Sequence, residues 1–302
     1  KALFKMGVMA TRTQSIDLRE LQMAIDTKRA LSRTPPFTEF TIPADWERSY
    51  RALAVKPPAK AQALAPRGSG RLMRGWQALN QRVSAFPAEV AEMALPGLKK
   101  VVEFQDIAYG ETYLARLESL LKQDRAPFTY SREAAKYIAN AMAYDDVIRV
   151  ADLKTRSGRS ERIAREMGAK PGNLLHVTEF MHPRAEEIVG MMPAKLGTRL
   201  AGDPKWMARI DRWFNKGRRL RSDSLGSFLM LYVLGGMKRR RLGSLRHAQE
   251  LAHLEAWLAR AQSHLPRNYD LAVEVIRCRR LVKGYSDTHA RGLSKFDRVL
   301  EG

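Results

Sequence analysis

The sequence predicts a mainly α protein in which a multi-helix domain follows a linker rich in proline and glycine. Three observations support this fold class. Apolar residues recur three and four positions apart in nearly every segment after residue 70. Capping residues or prolines stand where several of those segments begin. Alternating strand patterns are scarce: Phe37–Ile42 resembles a strand, and Leu174–Val177 is ambiguous.

The composition divides the chain into three parts. Residues 1–55 form a small N-terminal segment with one amphipathic helix. Residues 56–70 hold three prolines, two glycines and no aromatic residue, which is a linker composition. Residues 71–302 form the predicted helical domain. Because a helical pattern is already under way near Lys1, we expect the chain to be a piece of a longer polypeptide.

Helices are predicted wherever an apolar stripe persists. In chain order these segments are Arg71–Phe86, Val101–Leu121, Ser131–Tyr144, Asp145–Met167, Ser244–Ser263 and Asn268–Val282. Ser131 can cap its helix, and Gly158 weakens the middle of the segment that contains it. Pro183 and Pro204 are each expected at the first position of a further helix. Gly284 is a C′ glycine that follows the last of these helices.

Ser224–Lys238 is apolar all round, which predicts a central buried helix. It contains the longest apolar stretch of the chain, Leu225–Met237. A span of the bilayer takes about 20 apolar residues, and glycines interrupt this shorter stretch. We therefore expect no membrane partner.

The chain is strongly basic. It has 53 Lys and Arg against 32 Asp and Glu, a net charge of +21. Such a field attracts nucleic acid, anionic lipid or an acidic protein. The densest groups are Arg218–Arg221, Lys238–Arg241 and Arg277–Arg280. Each lies where a helix would end or expose a face, so a solvated surface is the simpler interpretation.

Motifs for self-sufficient catalysis are missing from the sequence. The single cysteine, Cys278, allows no internal disulfide, zinc site or cluster ligand set, and it favours a reducing, cytoplasmic location. The histidines lack metal-ligand spacing, and no phosphate-binding glycine loop occurs. We therefore predict no metal site. His182, just before Pro183, can orient a backbone group, bind an anion, or serve as a structural cap.

A ladder of opposite charges is the first unusual segment. Asp145, Arg149, Asp152 and Arg156 follow one another three or four residues apart. Side chains at this spacing share one helical face. The pattern predicts an ion-pair network packed against another helix, and these four residues are candidate contacts.

The second unusual segment is Leu281–Gly292, a polar stretch after a helix end. Its candidate contact residues are Lys283, Tyr285, Asp287, Thr288, His289 and Arg291. Two interpretations stay open: a loop that carries contacts, or a helix C-cap followed by a turn.

Four segments together resemble the C-terminal half of proteins of the indolepyruvate ferredoxin oxidoreductase subunit beta family. They are Ile148–Glu166, Thr178–Ile188, Ser244–Arg260 and Leu281–Leu300. The resemblance covers residues 97–302 and is weaker over 1–55. There, FKMGVMATRTQSIDLRELQMAI is similar to the closing helices of the gamma-like domain of 2-oxoacid:acceptor oxidoreductases.

This resemblance implies a component of an enzyme that oxidatively decarboxylates aryl-2-oxoacids to acyl-CoA. In that family the reaction uses thiamine diphosphate with Mg, coenzyme A, and iron–sulfur clusters that pass electrons to ferredoxin. The chain shows no thiamine diphosphate motif and no cysteine set. We therefore expect no cofactor in this chain, no activity of the chain alone, and a role in assembly or partner docking.

The resemblance also implies the partners. The first is a thiamine-diphosphate-bearing domain or subunit of the same enzyme. The second is an acidic ferredoxin, whose encounter a basic surface would accelerate.

Two alternatives remain at this point. One is a basic helical module that binds nucleic acid. Its charge is spread rather than striped and no recognition-helix turn is evident, so no specific nucleic acid is expected. The other is a purely structural or assembly domain.

Overall fold

The structure is a computed structural model that describes residues 68–170, 176–181, 183–215, 217–282, 284 and 286–301. The predicted segment 1–55, the linker up to residue 67 and the strand predicted at Phe37–Ile42 lie outside these residues. Residues 160–170 belong to a separate unit from the other described residues and are considered by themselves. Most of the described residues are helical, which confirms the mainly α fold class.

The elements are named here in chain order. They are α1 Gly70–Ser84, α2 Ala88–Phe104, α3 Ile107–Leu121, α4 Thr129–Met142, α5 Val147–Thr155, α6 Gly158–Glu166, β1 Thr178–Met181, α7 Ala185–Gly190, α8 Ala194–Ala201, α9 Pro204–Phe214, β2 Arg218–Arg221, α10 Leu225–Gly236, a 3₁₀ helix Met237–Gly243, α11 Leu245–His264, α12 Tyr269–Arg277, a second 3₁₀ helix Cys278–Leu281 and α13 Ser286–Glu301.

The main core lies where α2, α3 and α4 pack together, with α1, α11 and α12 around them. Gly97 permits the close approach of α2, because a Cβ there would overlap the Tyr113 hydroxyl. That hydroxyl donates a 2.8 Å hydrogen bond to the carbonyl of Ala135 in α4. Burial raises the pKa of Tyr113 well above its usual value. Its hydroxyl therefore acts as a neutral donor that joins three helices.

A smaller core lies between α7, α9 and the start of α11. Its buried residues are Ala185, Val189, Ile210 and Leu245. The α9 helix begins as predicted: Asp203 accepts hydrogen bonds from the backbone N–H groups of Lys205 and Trp206, and Pro204 opens the helix.

The β1 and β2 strands form an antiparallel ribbon in which Thr178 pairs with Arg221 and Met181 with Arg218. The interpretation of Arg218–Arg221 as the end or exposed face of a helix is wrong. The β2 strand has four residues and one apolar side chain, so its sequence shows no alternation of apolar and polar residues that would predict a strand. Pairing with β1, distant in sequence, decides its conformation.

Two long predicted helices are each two helices. Val101–Leu121 breaks at Gln105, where Asp106 caps α3 by accepting a 2.8 Å hydrogen bond from the backbone N–H of Tyr109. Asp145–Met167 breaks after α5, where Arg156 has extended backbone angles. In the first segment the apolar spacing continues across the break, so periodicity alone predicts one helix. In the second segment no apolar residue lies between Leu153 and Ile163, and the prediction of one helix passed over this gap.

Two predicted helix starts are also wrong. The α4 helix begins at Thr129, after Phe128 with a φ of 54°, and Ser131 is buried inside the helix instead of capping it. The helix expected to begin at Pro183 begins at Ala185.

The prediction for Ser224–Lys238 is right that the segment is helical and wrong that the helix is buried. The helix α10 forms, but only Leu231 of its residues is buried. An all-apolar segment has no polar face to show which side meets water, so its composition could not reveal the exposure.

Of the two interpretations of the C-terminal segment, the C-cap is confirmed, but the turn expected after it is a helix. Gly284 has a φ of 75°, the left-handed conformation expected of a C′ glycine. The α13 helix then begins at Ser286. Most of the predicted polar loop is therefore the first turns of a helix.

Candidate functional site

The most unusual surface in the described part of the chain is the exposed side of α10. Its large apolar side chains include Leu225, Leu229, Tyr232 and Val233, which are 82%, 55%, 62% and 59% exposed. We call the exposed side chains of Leu225, Phe228, Leu229, Met230, Tyr232 and Val233 the apolar face. Monomeric proteins rarely expose contiguous apolar patches beyond a few hundred Å², and such patches mark interaction sites.

The opposite side of α10 lies on α5. A Cβ on Gly235 would stand 3.1 Å from the backbone N and Cα of Asp152, so the two helices touch backbone to backbone. On the apolar face, the rings of Phe228 and Tyr232 lie one turn apart with centroids 6.1 Å apart and planes at 19°. The α5 helix, which we call the support, thus holds the apolar face in a fixed position.

The predicted charge ladder lies in that support. Asp152 pairs with Arg149 at 3.4 Å and with Arg156 at 2.8 Å. Burial, and then the neighbouring Arg156, lowers the pKa of the Arg149 guanidinium. The structure therefore brings Arg149, Asp152 and Arg156 together beneath α10. It leaves Asp145 exposed before the start of α5, outside these pairs.

Asp146 opens the α5 helix, as its position in the sequence predicts, but sequence reasoning missed its ion pair with Arg241. Its carboxylate caps α5 by accepting a 2.6 Å hydrogen bond from the N–H of Arg149, and it receives the Nε of Arg241 at 2.9 Å. The Arg241 side chain is 1% exposed and also donates to the Phe104 carbonyl at 2.6 Å. The sequence signal for the cap is the position of Asp146 directly before the apolar pattern of α5.

Cations lie beyond both ends of α10. At the N-terminal end, Arg219 stacks over Phe180 at 5.5 Å from the ring centroid, and Arg221 pairs with Asp223 at 2.6 Å. At the C-terminal end, Arg239 and Arg240 are exposed in the 3₁₀ helix that follows. The α10 helix itself carries no charged residue.

The predicted contacts near the C-terminus are divided. Thr288 and Arg291 are exposed on α13, whereas His289 is buried with its Nε2 3.2 Å from Glu250. Lys283, Tyr285 and His182 lie outside the described residues, as does the side chain of Asp287.

Glu250 is the centre of a buried charge cluster between α11, the second 3₁₀ helix and α13. It pairs with Arg246 at 2.7 Å and Arg279 at 3.4 Å. Burial opposes ionisation, but the contact with His289 and the charge of Arg246 lower the pKa of Glu250 below its usual value. The cluster fixes α13 on α11. It is therefore a structural link in the part of the chain that the structure describes.

Two further histidines are held by buried partners. His247 lies 3.2 Å from the Tyr144 hydroxyl, and His253 lies 2.7 Å from a nitrogen of Arg279. Burial is the main cause that lowers the pKa of each imidazole. Burial therefore favours the neutral form of both rings.

Among the residues that the structure describes, no group of three or more His, Cys, Asp or Glu side chains is placed to hold a metal ion. Cys278 is half-buried, and burial raises the pKa of its thiol. Nor does any helix within the described ranges have the length and apolar character needed to cross a membrane.

Comparison with known proteins gives one family match. The sequence model described as "Family of unknown function (DUF6537)" matches residues 90–302, which is more than half of the chain. No curated protein and no solved structure matches the chain. The matched residues contain α10, its support α5 and the Glu250 cluster.

Proposed function

We propose a docking role for this chain, which belongs to the family of unknown function DUF6537. The chain would serve as the docking component of an indolepyruvate-type 2-oxoacid:ferredoxin oxidoreductase. The complete enzyme would convert aryl-2-oxoacids to acyl-CoA. The segments that resemble the beta subunit family suggest the enzyme, and the apolar face suggests the docking role.

The exposure of the apolar face carries this proposal. Fully burying one leucine side chain contributes about 1.5–3 kcal/mol. Leu225, Leu229 and Tyr232 leave most of that contribution unused in the isolated chain. A partner that covers them would recover it, and this is the usual origin of a hydrophobic interface core.

In this proposal the reaction belongs to the partner. Thiamine diphosphate with Mg, coenzyme A and the iron–sulfur clusters would be bound by a thiamine-diphosphate-bearing domain or subunit. In the part of the chain that the structure describes, no group of three or more His, Cys, Asp or Glu side chains is placed to hold a metal ion. The contribution of this chain would be to hold that partner through the apolar face.

The support beneath α10 suits this role. An interface gains affinity when its residues are ordered before binding, because less conformational freedom is lost. Gly235 places α10 directly on the α5 backbone, and the Asp146–Arg241 pair fixes the start of α5 to the 3₁₀ helix that follows α10. The apolar face would therefore be preorganised.

The test is a matched pair of substitutions. Leu229 and Leu72 are leucines on different helices with exposed fractions of 55% and 54%. We expect Leu229→Glu to weaken binding of the thiamine-diphosphate-bearing partner by about tenfold or more, since 1.4 kcal/mol is a factor of ten. Leu72→Glu should leave binding and 2-oxoacid oxidation unchanged. Equal assembly of both variants, measured by sedimentation velocity, would contradict the proposal.

A further inference from the structure

The charged residues that flank α10 in the sequence are almost all cations. From Arg218 to Arg241 the sequence holds seven Lys or Arg residues and a single acid, Asp223. None of these charges lies within α10. The chain therefore presents an uncharged apolar helix between two basic ends.

The nearby acids are already engaged. Asp223 accepts from Arg221 and lies 2.6 Å from His176, and the hydrogen bond from Arg221, followed by that with His176, lowers the pKa of this carboxyl far below its usual value. Asp152 is shared between Arg149 and Arg156. Asp223 thus neutralises Arg221, and neither of these two carboxylates pairs with the other cations at the ends of α10.

The cations at the C-terminal end are the clearest surplus. Arg239 and Arg240 are exposed and form no ion pair with any residue that the structure describes. Lys238, beside them, donates to the carbonyl of Glu103 at 3.1 Å. Lys238 is thus engaged within the chain. Arg239 and Arg240, which have no ion-pair partner among the described residues, can pair with carboxylates on another molecule.

We infer that the apolar face binds an acid-rimmed protein surface, in which an apolar centre covers α10 and carboxylates meet the cations at its two ends. The inference rests on the proposed docking function and adds the chemistry of the partner. Complementary charge at an interface rim fixes its register and raises the association rate.

Charge also decides against other occupants. A second copy of the chain would bring its own Arg239 and Arg240 into an interface between two molecules of net charge +21 each. Nucleic acid would need cations on the contacting surface, but α10 offers apolar side chains there. Helices that lie in anionic membranes carry Lys and Arg along their polar side. The charges of α10 lie only beyond its ends.

The experiment places a photo-crosslinking amino acid at Leu229 in the native assembly, purified from the host of the chain, with a matched control at Leu72. We expect Leu229 to crosslink to a single site on the docking partner. Asp or Glu residues should surround that site. Leu72 should give no such product.

A charge-reversal pair then tests the rim. Arg239→Glu with Arg240→Glu should lower the Leu229 crosslinking yield by about tenfold at low ionic strength. The control pair, Arg260→Glu with Arg267→Glu, changes two exposed cations on another part of the domain and should leave the yield unchanged.

The outcomes separate the inference from the function on which it rests. Crosslinks to a surface without carboxylates, with a yield indifferent to charge reversal, would overturn the inference and leave docking intact. Crosslinks to a second copy would overturn it, as would binding to phosphatidylcholine–phosphatidylserine vesicles that Leu229→Glu abolishes. No specific product at Leu229 would contradict docking itself.

Discussion

Gly235 of α10 packs so closely on Asp152 of α5 that even a Cβ would need the α5 backbone to shift. A Cβ on Gly235 would stand 3.1 Å from the Asp152 N and Cα, which are backbone atoms that cannot rotate away. This contact joins the apolar helix to the residue at the centre of the charge ladder. The position of the apolar face therefore depends on one glycine.

Gly235→Leu should destabilise the domain. The leucine must displace the α5 backbone, and overpacking of this kind costs about 1–3 kcal/mol. Gly226 is the matched control, because it lies on the same helix and nothing stands within 4 Å of its Cβ position. We expect Gly226→Leu to show no comparable loss of the free energy of unfolding in urea. Equal effects of the two substitutions would contradict the contact.

Arg241→Met should be strongly destabilising. It leaves the carboxylate of Asp146, whose side chain is 6% exposed, without its ion-pair partner. Removing one member of a buried pair costs about 3–5 kcal/mol. Arg240→Met, one residue earlier and exposed, should stay within about 0.5 kcal/mol. Thermal or urea unfolding measures both, and similar values would refute the structural role of Arg241.

The domain should lose stability as the pH falls from 7.5 to about 5. The pKa values of His247 and His253 are lowered in the folded state, mainly by burial. The unfolded chain therefore binds more protons below the usual histidine pKa, and stability falls with pH through that range. Glu250, whose folded pKa is also lowered, adds a further loss below its usual value.

The histidine contribution can be isolated by substitution. Each neutral histidine adds a slope of up to about 1.4 kcal/mol per pH unit. His247→Gln with His253→Gln should flatten the dependence of the unfolding free energy between pH 7.5 and 5. His264→Gln, near the end of α11, is the control. An unchanged slope in the double variant would contradict this prediction, because groups other than His247 and His253 would then cause the pH dependence.

Binding to duplex DNA should be weak and unspecific. The net charge of +21 predicts retention at low salt through counterion release. We expect this retention to disappear between about 50 and 200 mM salt and to be the same for unrelated duplexes. Sub-micromolar binding at physiological salt would favour the nucleic-acid alternative over docking.

Much of the helical architecture could be predicted from the sequence because its signals are local. The cap at Asp203, the stripe of α11 and the spacing of Arg149, Asp152 and Arg156 all depend on residues within one or two turns. Such short-range patterns directly report the helical period.

The parts that could not be predicted depend on distant contacts. Arg218–Arg221 forms a strand because Thr178–Met181 lies beside it. Arg241 is buried because Asp146, 95 residues earlier, receives it. The exposure of α10 depends on which of its sides meets α5. The resemblance to the oxidoreductase family concerned other segments and did not indicate this helix.

Hydroxyl-radical footprinting of Tyr232 tests the central claim most directly. The side chain is 62% exposed in this chain, so it should be oxidised readily in the isolated protein. In the native assembly its oxidation rate should fall severalfold, while that of Leu72 on α1 stays the same. Equal oxidation of Tyr232 in the isolated chain and in the assembly would show that no partner covers the apolar face, and would contradict the docking role.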